Sequence, residues 1–357
     1  MNKPETLTRR ITKSDELLPR RLTEQDEFIH PTGTDTPERW QENMMVEAWD
    51  LDHSIGFWFH IQRVPAISFC ELKYAVFGIN KGASGLAKVP LATDQMYPGL
   101  SIVKPFELAQ LKFQGKGVPT VADSDLPCLS ASGSIPLGID VALKGLVGPI
   151  DWHIPLSTLM NSIEGDHYEM AGTWEGKLQL GDETINGSGL FFRDHTWGNR
   201  NYTPKTDNKA TAGRGGFDWA WWTPVVLDEG RTFFNGLHVM STSGHKPAFS
   251  TLTEGGDTIL MPMHSVAVTA GKDLEICRYQ GVSINGGTAD NPIVGMNMKI
   301  NRHLPMYLPA HGPDFVQSDG FGPVTWGDRR GWGSAQLSLC TPGWKSWPEF
   351  SQQIAAL

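Results

Sequence analysis

The feature that most constrains the fold of this chain is a succession of short apolar or alternating runs, each broken by Gly, Pro, Asn or Asp. From residue 49 onward these runs show few helical periods, and their spacing is typical of strands. The pattern therefore predicts an all-β protein, either a sandwich or a barrel. The clearest predicted strands are residues 56–64, 67–79, 170–180, 187–197, 217–227 and 231–241.

The composition supports this prediction. The 357 residues include 39 Gly, 24 Pro and 13 Trp, which indicates many turns and apolar faces lined by large rings. Asp228-Glu229-Gly230 is typical of a tight hairpin turn. Two short helices are also expected, at residues 155–165 and at the C-terminus. The C-terminal helix would start at the cap residue Ser346 and cover or plug a barrel.

A chain of this length can form two domains. Residues 1–40 are polar and predict a loosely docked arm. The segment Thr196–Arg200 (TWGNR) recurs as Thr325–Arg329 (TWGDR), near the end of each half of the chain. This echo favours two tandem β domains, residues 41–200 and 201–357.

Several functional classes are disfavoured. The net charge of −9 and the lack of a basic run argue against a nucleic-acid partner. The four cysteines contain no CxxC pair, so they are expected to be buried reduced thiols. We find no nucleotide, zinc-protease or acyl-enzyme motif and therefore expect no metal and no cofactor. Without a signal peptide or a long apolar run, a soluble cytoplasmic protein is expected.

The segment FFRDHTWGNRNY (191–202) concentrates polar and aromatic residues at the end of a predicted strand. Because side chains alternate along a strand, His195 and Trp197 share one face and Asp194 lies on the other. Asp194 and His195 therefore cannot form a simple dyad within a regular strand, unless a β-bulge re-aims one of them. If the His195 face points into a barrel, an imidazole lies beside an indole, where its pKa is shifted and a cation can be held. Asp194 would then be structural.

The next predicted strand, FDWAWW (217–222), places Asp218 among indoles. A carboxyl in such surroundings resists ionisation, and a neutral acid can protonate an alkene or a carbonyl. His238 on the hairpin partner strand could come near it. The alternative is an aromatic core in which a backbone donor satisfies Asp218, and the residues alone leave both interpretations open.

The stretch from residue 165 to 201 resembles the carotenoid 1,2-hydratase (hydroxyneurosporene synthase) superfamily and its AttH-like relatives. The resemblance is carried by His167-Tyr168-Glu169, by Gly187-x-Gly189 and above all by the RDHxWGxR segment 193–200. It implies two tandem lipocalin-like (calycin) β domains and enzymes without a metal or organic cofactor. In the hydratases of this superfamily a histidine and a tryptophan of the motif are implicated, which match His195 and Trp197. A downstream tyrosine and aspartate are also implicated; Asp218 matches the aspartate, but FDWAWW contains no tyrosine.

We therefore expect a cofactor-independent hydratase or isomerase of a hydrophobic unsaturated small molecule, such as a terpenoid, a polyketide or a steroid-like ring, at or near the domain junction. Asp218 would donate the proton, His195 would position water and Trp197 would stabilise the cation. A shape-driven cyclase and a non-catalytic lipophilic carrier are the alternatives. The residues expected to contact the substrate are Phe191, Arg193, Trp219, Trp221, Trp222 and His238, and those expected to be structural are Asp194 and Arg200.

Overall fold

The computed structural model of this protein describes only part of the chain, and most of what it describes is strand. The described residues are 9–10, 22–30, 40–91, 97–120, 133–152, 163–200, 219–241, 244–245, 249–254, 256–261, 263–270, 279–288, 291–307 and 316–339. No helix among them is long and apolar enough to cross a membrane.

The structure describes ten strands in the first half of the chain. They are β1 (Arg9–Arg10), β2 (Trp40–Asp50), β3 (Ile55–Val64), β4 (Phe69–Gly78), β5 (Gly82–Val89), β6 (Leu100–Lys104), β7 (Leu108–Pro119), β8 (Ile135–Asp151), β9 (Ile163–Leu180) and β10 (Glu183–Arg200). Short 3-10 helices occur at Glu24–Glu27 and Pro65–Ile67.

The second half has the same character. Its strands are β11 (Trp219–Leu227), β12 (Thr232–Ser241), β13 (Gly244–His245), β14 (Phe249–Glu254), β15 (Asp257–Met261), β16 (Met263–Ala270), β17 (Tyr279–Thr288), β18 (Asn291–Lys299), β19 (Arg302–Tyr307), β20 (Val316–Trp326) and β21 (Arg329–Leu339). A third 3-10 helix, Asp228–Gly230, joins β11 to β12.

The strands form two antiparallel sheets. The first has the order β5-β4-β3-β2-β10-β9-β8-β7-β6, and a further pairing of β5 with β7 closes it into a barrel. The second runs β1-β15-β14-β12-β11-β21-β20-β18-β17-β16, with β13 added at β12 and β19 at β20. Every strand pair within these sheets is antiparallel, as hairpin connections require.

Where the two sheets meet, each is apolar on both faces, because one face lines its own core and the other meets the second sheet. Strand β7 instead alternates buried residues with exposed ones such as Lys112 and Gln114. The barrel core contains Phe57, Phe59 and Trp174, and the core of the second sheet contains Trp221 and Tyr279. A third apolar cluster lies between the sheets and draws its residues from both. We call this region the junction. Its largest members include Trp49, Trp58, Phe77, Phe192, Phe233, Phe321 and Trp332.

The all-β prediction is confirmed, and so is the Asp228–Gly230 turn, which connects two paired strands. One local expectation is wrong, because residues 163–165 of the helix expected at 155–165 begin β9. Residues 155–162 and the expected C-terminal helix lie outside the described residues.

The repeated Thr-Trp-Gly-x-Arg segment occupies two different structural positions. The first copy lies within β10, paired on both sides with β2 and β9. The second copy ends β20 and turns at Gly327, whose φ of 63° favours glycine, into β21. A domain boundary at residue 200 stays a prediction, although β10 is the last strand of the first sheet.

The N-terminal segment 22–30 is more closely packed than its polar sequence suggests. Asp26, Glu27 and Ile29 are buried, and Tyr168 donates a hydrogen bond to Glu27 Oε1 at 3.0 Å. The segment thus lies against the barrel interior. Its acidic residues made it look like a solvated arm, whereas Glu27 binds partners on β9 and β10 and the Asp26 carboxylate binds Thr23 within the segment.

Candidate functional site

Strand β10 separates two environments. Phe191 and Trp197 pack in apolar clusters on the barrel side, where Arg193 and His195 also find their partners. Phe192 packs at the junction on the opposite side. This arrangement follows from the two-residue period of a strand. The prediction that Asp194 and His195 do not form a dyad is confirmed, since the carboxylate partner of His195 is Glu42, on β2.

His195 lies at the centre of a buried polar group on the barrel side of β10. Its side chain is fully buried, and its Nδ1 lies 2.9 Å from the backbone carbonyl oxygen of Asp26. Its Nε2 lies 2.9 Å from Tyr97 Oη and 3.0 Å from Glu42 Oε1. We call His30, Glu42, Tyr97 and His195 the histidine cluster.

Glu42 is the anionic member of this cluster. Its Oε1 accepts the backbone N–H of His30 at 3.0 Å and lies 2.9 Å from His30 Nδ1, while Arg63 binds Oε2. Burial acts to raise the pKa of Glu42, but the contacts with His195, His30 and Arg63 outweigh it and lower the pKa to about 2. Burial lowers the pKa of His195, and the Glu42 carboxylate opposes that shift.

Two further side chains complete the barrel side. Trp197 stacks on His30 with ring centroids 4.1 Å apart and lies beside His195 at 4.7 Å. Arg193 pairs with Glu27. The imidazole-beside-indole arrangement inferred for this strand is therefore present, although hydrogen-bonding groups surround His195 rather than an apolar cavity alone.

The junction on the other side of β10 is built from aromatic contacts between the sheets. Trp49 stacks on Trp332 with centroids 4.0 Å apart, and Phe77 stacks on Phe321 at 4.9 Å. Phe192 meets Trp222 edge to face at 5.8 Å. Contacts of this kind exclude water and lower the local dielectric, so an acid placed there is favoured in its neutral form.

Among the described residues, three buried acids on this face have raised pKa values, and we call these three, Glu47, Glu169 and Asp319, the junction acids. Burial raises the pKa of Glu47 and of Glu169 well above the usual value, although the indole N–H of Trp332 and that of Trp222 each act against the shift. Burial likewise raises the pKa of Asp319 to about 7. All three acids therefore retain a proton at higher pH than ordinary carboxyl groups.

Glu169 has the most informative contacts. Its Oε1 accepts the indole N–H of Trp222 at 3.0 Å and lies 2.9 Å from His167 Nε2. Its Oε2 has no hydrogen-bond partner among the residues that the structure describes. His167 Nδ1 is in turn 2.5 Å from Thr196 Oγ1. One oxygen of this acid is fixed, and the other is available.

The other predicted site residues that the structure describes are spread over both sheets. Trp221 lies in the core of the second sheet, 5.1 Å from the Tyr279 ring, and its neighbour Trp222 lies at the junction. Asp194 is on the junction side, with a carboxylate oxygen 4.0 Å from His167 Nδ1. Asp218 lies outside the described residues, and for three others only the backbone is described, namely Arg200 in β10, Trp219 in β11 and His238 in β12, opposite Trp221.

Sequence reasoning missed the junction acids and three members of the histidine cluster. His30, Glu42 and Tyr97 stand far from His195 in the chain, so no ligand or dyad spacing marks them. A usable signal did exist for Glu47, a single acid inside the apolar run MMVEAW. Glu169 was noticed only as part of the resemblance, because its indole partner comes from the other sheet.

Comparison with known proteins agrees with this architecture. The family described as a domain of unknown function, DUF7064, matches residues 23–340, and the chain therefore belongs to that family. A search of curated proteins finds no match.

Solved structures of similar fold exist. An AttH protein from Nitrosomonas europaea is 13% identical with a TM-score of 0.51, over 87% of this chain and 98% of its own. Kievitone hydratase from Nectria haematococca is 10% identical with a TM-score of 0.52, over 89% and 95%. CghA with Sch210972 is 11% identical with a TM-score of 0.50, over 86% and 90%. The resemblance to AttH-like proteins is thereby confirmed at the level of the fold.

Proposed function

We propose that this protein is a hydratase or isomerase that uses acid–base chemistry on a hydrophobic unsaturated small molecule held at the junction. The observation that carries the proposal is Glu169, a buried acid with a raised pKa, one oxygen fixed by Trp222 and the other without a partner among the described residues. A neutral carboxylic acid in apolar surroundings is the group required to protonate a carbon–carbon double bond or a carbonyl.

The proposed steps balance in protons. Glu169 Oε2 gives its proton to the unsaturated carbon, and the resulting carboxylate keeps the Trp222 N–H and the His167 contact on Oε1. The electron-rich faces of Trp222 and Trp332 stabilise the cationic intermediate. In hydration, water attacks the cation and gives a proton to Asp319, whose pKa of about 7 suits a base at neutral pH. In isomerisation, the cation instead loses a proton from a neighbouring carbon to Asp319. In both reactions, proton exchange with solvent restores neutral Glu169 and ionised Asp319 before the next turnover.

The fold likeness to kievitone hydratase supports this class of reaction. The free-energy cost of burying three acids also supports it, because a carrier of apolar ligands gains nothing from these acids. Terpenoid, polyketide and steroid-like compounds remain the proposed substrates, and we keep the predicted cytoplasmic location as part of the proposal.

The roles assigned to His195, Trp197 and Asp218 remain predictions. His195 and Trp197 face the barrel rather than the junction, so a direct role for them requires a substrate on that side of β10. Loss of turnover in Asp218→Asn would support the predicted acid. Loss in His195→Ala supports a catalytic histidine only if the variant keeps the stability of the wild type, because His195 also bonds Asp26, Glu42 and Tyr97.

The test is turnover by Glu169→Gln, measured by mass spectrometry and chromatography with a panel of unsaturated terpenoids, polyketides and sterols. Hydration adds the mass of one water, and isomerisation shifts only retention. We expect wild-type product and a decrease in kcat of at least about 100-fold in the variant. The matched control is Glu183→Gln, which removes an exposed carboxylate paired with Lys81 and should keep full activity. Undiminished turnover by a folded Glu169→Gln protein would exclude Glu169 as the acid.

A shape-driven cyclase is the second candidate, favoured by the aromatic stacking that lines the junction. Such an enzyme confines a flexible substrate and needs no obligatory proton donor. In that case Glu169→Gln loses activity only partly. Ala171→Leu, which enlarges a buried junction side chain, should abolish cyclisation while the protein remains folded.

A further inference from the structure

The histidine cluster has a geometry that acid–base chemistry at the junction does not use. One ligand atom each of His30, Glu42 and His195 lies within 4.8 Å of the other two. Glu42 Oε1 is 2.9 Å from His30 Nδ1 and 3.0 Å from His195 Nε2. Tyr97 Oη adds a fourth donor atom, 2.9 Å from His195 Nε2 and 3.3 Å from Glu42 Oε1.

The outer nitrogen of each histidine faces an oxygen of Asp26. His195 Nδ1 lies 2.9 Å from the Asp26 backbone carbonyl, and His30 Nε2 lies 3.5 Å from Asp26 Oδ1. Both of these oxygens can only accept, so each outer nitrogen carries its proton. In metal sites, a backbone carbonyl or a carboxylate holds ligating imidazoles in this way and fixes the tautomer that leaves the inner nitrogen unprotonated.

The inner nitrogens meet Glu42 Oε1 favourably only when both rings carry a second proton or when a cation lies between these atoms. In neutral rings with protonated outer nitrogens, His30 Nδ1 and His195 Nε2 present lone pairs toward Glu42 Oε1, which carries lone pairs of its own. Tyr97 can donate one proton to His195, which leaves the contact with His30 unresolved. Two additional protons or one divalent cation would make all these contacts favourable.

We propose that His30, Glu42 and His195 bind a divalent transition-metal cation of the Zn²⁺ class, with Tyr97 or water as the fourth ligand. Imidazole and carboxylate ligands suit Zn²⁺, and two histidines with one glutamate are a known zinc set, whereas Ca²⁺ and Mg²⁺ require oxygen ligands. Arg63 binds Glu42 Oε2, so the cation would share Oε1 with the backbone N–H of His30. His30, 21% exposed, provides the route from solvent to the otherwise buried cluster.

This site is separate from the proposed acid–base chemistry, because its ligands lie on the barrel side of β10 and Glu169 lies at the junction. Sequence spacing could not indicate it, since the ligands stand at positions 30, 42 and 195. The two proposals can therefore fail independently of each other.

The first experiment uses the wild-type chain, freed of metal with a chelator and titrated with Zn²⁺ and, separately, with Co²⁺. We expect one equivalent of Zn²⁺ per chain, a melting temperature that rises with Zn²⁺ concentration, and visible absorption bands from Co²⁺ typical of nitrogen and oxygen ligands. Mg²⁺ and Ca²⁺ should cause no shift. A wild-type protein without the Co²⁺ bands and without a Zn²⁺-dependent shift overturns the proposal.

The second experiment locates the ion. His30→Ala removes the most exposed ligand and is the variant least expected to disturb folding; it should weaken Zn²⁺ binding by at least about 100-fold. The matched control is His53→Ala, which removes a histidine paired with Asp50 in the β2–β3 turn at 2.7 Å. Binding weakened equally in both variants, or in neither, contradicts a site at the histidine cluster.

Discussion

Trp222 donates its indole N–H to Glu169 Oε1 across the junction, at 3.0 Å, and so links β11 of the second sheet to β9 of the barrel. The bond stabilises the charged form of Glu169, since it opposes the rise in the Glu169 pKa caused by burial. This hydrogen bond therefore connects the two sheets and also limits the rise in the pKa of the proposed acid.

Trp222→Phe should raise the pKa of Glu169 further, because the donor that favours the carboxylate is lost while the aromatic ring is kept. If protonated Glu169 is the catalytic acid, the alkaline limb of the pH–rate profile moves to higher pH. The measurement is kcat/KM against pH. Trp221→Phe, in the core of the second sheet, is the control and should leave the profile in place. A pH–rate profile unchanged in Trp222→Phe would show that the protonation of Glu169 does not control the rate.

Asp319→Asn should remove a pH dependence of stability. The pKa of Asp319 is raised by burial from 3.8 to about 7, so the folded state binds the proton more tightly than the unfolded state. The contribution of protonated Asp319 to the free energy of unfolding is fully present below pH 3.8. It is lost as the pH rises to 7, which lowers the free energy of unfolding by up to about 4 kcal/mol. We therefore expect the variant to gain stability relative to the wild type between pH 4 and pH 8, measured by urea unfolding. A constant difference across this range would show that Asp319 titrates normally.

Phe191 and Phe192 provide a test of which side of β10 the substrate uses. Phe191 packs in the barrel core and Phe192 at the junction. Phe191→Leu and Phe192→Leu should both destabilise the fold, by about 1–3 kcal/mol, because each leaves unfilled volume. Only Phe192→Leu should raise KM. If KM rises in Phe191→Leu instead, the predicted contact between Phe191 and substrate is correct and the junction proposal is not.

The sequence predicts the strands well, because hydrophobic alternation and turn residues are local signals. It also predicts that Asp194 and His195 diverge, since that follows from strand periodicity alone. The partners of these residues could not be predicted. The carboxylate that meets His195 comes from β2, and the indole that meets Glu169 comes from the other sheet. Long-range pairings of this kind depend on the register of strands distant in sequence.

The polar N-terminal arm illustrates the same limit. Asp26 and Glu27 made residues 22–30 look like a solvated segment, because acidic residues are seldom buried without partners. Glu27 has such partners in Arg193 and Tyr168, whereas the Asp26 carboxylate binds Thr23 within the arm. Nothing local in the arm marks the contacts of Glu27, which form only when β9 and β10 are in place.

The division of β10 between two faces has a consequence for how the family can vary. Adjacent residues of this strand contact different parts of the molecule. Amino-acid replacements at adjacent positions should therefore occur independently of each other as the family diverges. Replacements at Arg193 should covary with position 27, and replacements at His195 with position 42. Replacements at Phe192 should instead covary with position 222, on the other sheet. In an alignment of the family, odd and even positions of β10 would then covary with two different sets of residues.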